Sequence, residues 1–112
     1  MSTLFGTVTV PDDAAAGVAT VHVSVEDTTL QDVSSVRLAE VVLRGVDVVA
    51  GGHLAFAIDV DDVPADATVR VHVDRSGDGD LATGDLLTVR SVPAATLGTS
   101  AQDAGEVPVR TI

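Results

Sequence analysis

Cysteine is absent from this chain of 112 residues, and with it every disulfide and every thiolate metal site. Tryptophan and tyrosine are absent too, so Phe5 and Phe56 are its only aromatic rings apart from the histidines. That shortage argues against a sugar-binding platform, because such sites stack their ligand on exposed aromatic faces. Lysine does not occur, and six arginines stand against seventeen acidic residues for a formal charge of -11. So acidic a surface repels nucleic-acid phosphates, and no basic stripe interrupts it. No apolar run approaches the roughly 18 residues of a membrane span. The start, "TLFGTVTV", lacks the charged and apolar regions of a signal peptide. The chain as it stands is expected to be soluble, with an exported or envelope location open to a form carrying a leader. No GxSxG, HExxH or Gly-rich phosphate loop occurs, and nothing sets a base beside a nucleophile. The chain is therefore expected not to be an enzyme.

Valine, leucine and alanine supply most of the 46% of hydrophobic residues. β-Branched valine fits a pleated, half-buried surface, and the pattern follows suit. Period-two alternation recurs over Leu4 to Val10, "VATVHVSVED", "VRLAEVVLRG", "HLAFAIDV", Val69 to Val73, Leu87 to Val89 and "EVPVRTI". Clusters of Gly, Pro and Asp separate these runs. Adjacent Val41 and Val42 blur the third run, which suggests a bulge there. Pro93 and Pro108 suit strand starts or edges. About seven strands and no helix-period segment predict an all-β fold, an immunoglobulin-like antiparallel β-sandwich forming one domain over residues 1–112.

One loop carries chemistry. "DRSGDGDLATGD", Asp74 to Asp85, matches the register of an EF-hand calcium loop, with donors at its first, third, fifth, seventh and twelfth positions and glycine at the sixth. Asp74, Ser76, Asp78, Asp80 (through its backbone carbonyl) and Asp85 are the expected metal ligands, and Gly79 makes the sharp turn. Leu81 is expected to anchor the loop on the core. Like charges about 4 Å apart repel by about 1 kcal/mol even in bulk water, and a divalent cation reverses that sign. Calcium tolerates six to eight oxygens in loose geometry and is the expected ion, acting structurally on a hairpin flanked by strands instead of helices. Two features weaken the site: Asp85 is shorter than the usual Glu at position twelve, and Arg75 adds a positive charge. The alternative is a solvated acidic turn, since Asp-Gly pairs are common in hairpins. His22 and His72 fall on the polar faces of their strands, where two neighbours could meet as a transition-metal pair; lone surface histidines are the commoner outcome.

The segments "FGTVTVP", "VHVSVEDTTLQDVSSVRLAE", "GGHLAFAIDVD" and "VRVHVDRSGDGDLATGDLLT", in this order, resemble the YbaY-like group of small bacterial lipoproteins, related to the YscW-type lipoprotein chaperones of type III secretion. Gly6, Asp27, Glu40, Gly52 and Phe56 are the matching positions. The resemblance implies an immunoglobulin-like sandwich with a role in envelope assembly or in chaperoning a secretin. The chain departs from the pattern in having no lipobox cysteine and a more acidic hairpin. The expected function is thus a calcium-stabilised, non-enzymatic module for protein or peptide partners. A halophilic-type structural domain without metal and a sugar-binding or hydrolase accessory domain are the alternatives.

Overall fold

Strand β1 (Ser2–Thr9) turns Leu4, Gly6 and Val8 inward and leaves Thr3 at the surface, as its alternation requires. The computed structural model describes residues 2–27, 36–60, 67–75, 83–88, 92–94, 97–98, 102 and 104–112. Within them β2 (Gly17–Asp27), β3 (Val36–Val48), β4 (His53–Val60) and β5 (Ala67–Asp74) are the long elements. Shorter pieces follow: β6 (Leu86–Leu87), β7 (Val92–Pro93), β8 (Gly105–Pro108) and β9 (Arg110–Thr111).

These strands form two packed sheets, an all-β sandwich. One runs β4-β1-β8; the other runs β3-β2-β5-β6-β9, with β7 also alongside β5. The alternating valines make the layer between them. Ala19, Val21, Val23 and Val25 of β2 and Val69, Val71 and Val73 of β5 are buried together, facing Leu4, Val8, Phe56, Ile58 and Val60 of the smaller sheet. Full burial of one such side chain is worth about 1.5–3 kcal/mol, so many small valines replace the few large rings that the composition lacks. Phe56 takes the space its partner leaves open: it pairs with Gly6 across β1 and β4, and a Cβ on Gly6 would stand 2.2 Å from the Phe56 ring.

Four details differ from the sequence reading. Nine strands replace about seven among the described residues, because the return from the acidic loop and the final segment each divide. "EVPVRTI" changes sheets at Pro108–Val109: β8 pairs with β1, and β9 pairs with β6. The β1–β8 pair is parallel, so the sandwich is mixed and not purely antiparallel. Val41 and Val42 pair in unbroken register with Val23 and His22, and the irregularities lie on either side of them. One extra residue stands at Leu38, and another at Arg44–Gly45, where Gly45 has φ +65° and supplies the left-handed conformation that a bulge needs. The loop 28–35, the segment 61–66 and Val89 lie outside the described residues.

Candidate functional site

Strand periodicity places His72 and Asp74 on one face of β5, two residues apart, on the side of the larger sheet that turns away from the core. On the neighbouring β2, His22 is the register partner of His72 and Thr20 that of Asp74. The two imidazoles stack with centroids 5.5 Å apart and an interplanar angle of 21°. His22 and His72 therefore meet, where lone surface histidines were the commoner expectation, while His53 is exposed at the start of β4.

Asp85 reaches this face from the far end of the acidic loop. Its backbone is held from both sides: Gly84 N–H donates to the Ile112 carbonyl at 2.7 Å, and Ile112 N–H donates to the Asp85 carbonyl at 2.9 Å. Gly84 has φ +99°, a conformation that side chains rarely adopt. So fixed, the carboxylate accepts the Arg75 N–H on Oδ1 at 3.0 Å and stands 2.8 Å from His72 Nε2 through Oδ2. His22 Nε2 lies 3.6 Å from Asp74 Oδ2. Asp74 and Asp85 are almost sealed from solvent, at 0% and 1% exposure.

His72, Asp74 and Asp85 thus bring one ligand atom each within 4.8 Å of one another. Two carboxylates that close repel by about 3 kcal/mol or more at an effective dielectric of about 20. The His72 imidazole and the Arg75 N–H offset part of that cost, and a cation would offset more. Asp74 and Asp85, the first and last ligands expected from the sequence, are the two of that set that the structure brings together here. Ser76, Asp78 and Asp80 lie outside the described residues, as do Gly77, Gly79 and Leu81. Arg75, expected to compete with a cation, directs its guanidinium elsewhere: Nε donates to the Gly84 carbonyl at 3.0 Å and an Nη to the Ala15 carbonyl at 2.6 Å. It ties the hairpin to the approach of β2. The sequence reading missed His72 as a neighbour of the acidic pair. Its spacing from Asp74 was the available signal, since residues i and i+2 of a strand share a face.

From the histidines the same face opens into a groove of about 430 Å³ bordered by Ser24, Arg37, Glu40 and Arg70. Arg37 and Glu40 form an exposed ion pair at 3.0 Å, worth little in water. Both belong to β3, an edge strand whose one strand partner among the described residues is β2. Its inward row, Ala39, Val41, Leu43 and Val46, packs against the core and is only partly buried. Leu38, displaced by the bulge, is 37% exposed.

No family profile matches the chain, and no curated protein does. Among solved structures it is similar to an alternative pilotin from the type II secretion system of Vibrio cholerae, with a TM-score of 0.62 at 20% identity over 99% of this chain and 95% of that one. What the two share is the fold, from one end of the chain to nearly the other.

Proposed function

We propose that this chain is a non-enzymatic docking module that captures an extended, apolar segment of a secretin-type subunit along the edge of β3 that has no strand partner among the described residues, within the secretin-chaperoning role that the YbaY-like and YscW-type resemblance implies. The half-covered row Ala39, Val41, Leu43 and Val46 on that edge carries the reading. An added strand satisfies the open backbone groups and seats alternate side chains beside this row. A chain of charge -11 favours a segment that also carries basic residues. The fold shared with a type II secretion pilotin supports the same choice of partner class.

The test is an NMR titration of the isotope-labelled chain with peptides tiling a secretin subunit. One basic–apolar peptide is expected to shift amides of residues 37–46 in β3, and Val41→Lys should remove the response. Absence of any such peptide, or shifts spread evenly over the sandwich, would overturn the proposal.

A further inference from the structure

We propose that His22, His72, Asp74 and Asp85 form a binding site for a divalent transition metal of the zinc class. It is independent of docking at β3. Zinc accepts imidazole nitrogen and carboxylate oxygen at about 2.0–2.2 Å in a tetrahedral shell, which places donor atoms roughly 3.3–3.6 Å apart by the geometry of that shell. Three of the four donors already lie within 4.8 Å of one another, and His22 Nε2 is 3.6 Å from Asp74 Oδ2. The 2.8 Å hydrogen bond between His72 and Asp85 would open by roughly 0.5–0.8 Å to reach that separation as an ion replaced its proton.

The second observation is His22 itself. Its Nε2 is shut off from solvent, has no hydrogen-bond partner among the described residues, and faces the Asp74 carboxylate. A buried nitrogen left without a partner is costly in a folded protein, and coordination would relieve it. The supports are rigid. His22 and Asp74 sit on the two central strands of their sheet, while Asp85 is held by its backbone bonds to Ile112 and by the Arg75 N–H. The donor set also chooses the ion. Calcium asks for six to eight oxygens, and magnesium for an octahedron kept largely by water, whereas two imidazoles with two carboxylates match the borderline preference of zinc and its neighbours.

The experiment uses the full chain, stripped of metal, with zinc, calcium and magnesium chlorides as probes. Zinc should raise the melting temperature at equimolar addition. It should also move the ring-nitrogen NMR signals of His22 and His72 and leave those of exposed His53 in place. His72→Ala should abolish the response. His22→Gln, on a side chain 25% exposed and so expected to fold, should weaken zinc binding by at least about 10-fold, the scale on which a metal-site partner is felt. No response to zinc would overturn the proposal, as would zinc shifts centred on His53 or an undiminished response in both histidine variants. Stabilisation by calcium that survives both variants would likewise overturn it, and would indicate the oxygen-only loop expected from the sequence.

Discussion

Gly6 shows how little room a single position can leave. It pairs with Phe56, and a methyl group there would fall 2.2 Å from Cζ and 2.6 Å from Cε2 of that ring. Phe56 is buried among Leu4, Val8 and Ile58 and cannot swing out without opening the smaller sheet. Gly6→Ala is therefore expected to destabilise the fold by about 1–3 kcal/mol, the usual cost of overpacking. Chemical denaturation checks this, and an unchanged midpoint would show that the ring has a second place to go. Asp85 illustrates the opposite case. It is a charged residue accepted in the interior because Arg75 N–H and His72 Nε2 meet its two oxygens.

Among the elements, β2 and β5 differ from β3 in kind. The first two have strand partners on both edges and present fully buried valines, Val21, Val23, Val71 and Val73. β3 has a partner on one edge among the described residues, carries two bulges and buries Val48 fully at its end while its middle stays half-covered. Local opening costs least where burial is low and hydrogen bonds face solvent. Hydrogen exchange should accordingly find the β2 and β5 amides protected to the level of global unfolding, and the amides of residues 37–47 that point away from β2 exchanging orders of magnitude faster. Uniform protection across β3 would mean that something covers its edge, and the docking proposal would lose its surface. The alternation of β3 was plain in the sequence. Its edge position was not, since a strand's neighbours depend on chain segments far away.

Across the whole molecule, the formal charge of -11 works against compaction. Seventeen acidic and six basic residues fold into one small sandwich, and an exposed pair such as Arg37–Glu40 relieves little of the excess. Compaction raises self-repulsion, and salt screens it over about 10 Å at 0.1 M and about 3 Å at 1 M. Folded stability should therefore rise with sodium chloride, by about 4–8 °C in melting temperature for each kcal/mol of repulsion relieved. A melting temperature that stays flat or falls between low and molar salt would show that the acidic surface is already neutralised by its own arrangement.

Composition and alternation were enough to determine the five long strands, the valine core and the all-β class, because the period of a side-chain pattern is a local property of the backbone. They also marked Asp74 and Asp85 as partners, since a loop's two ends must come close when its flanking strands pair. The parallel β1–β8 pair, the sheet change at Val109 and the placement of His22 beside Asp74 could not be read there. Each depends on register between segments tens of residues apart, and register is settled by how two sheets share one core, not by any stretch of chain alone.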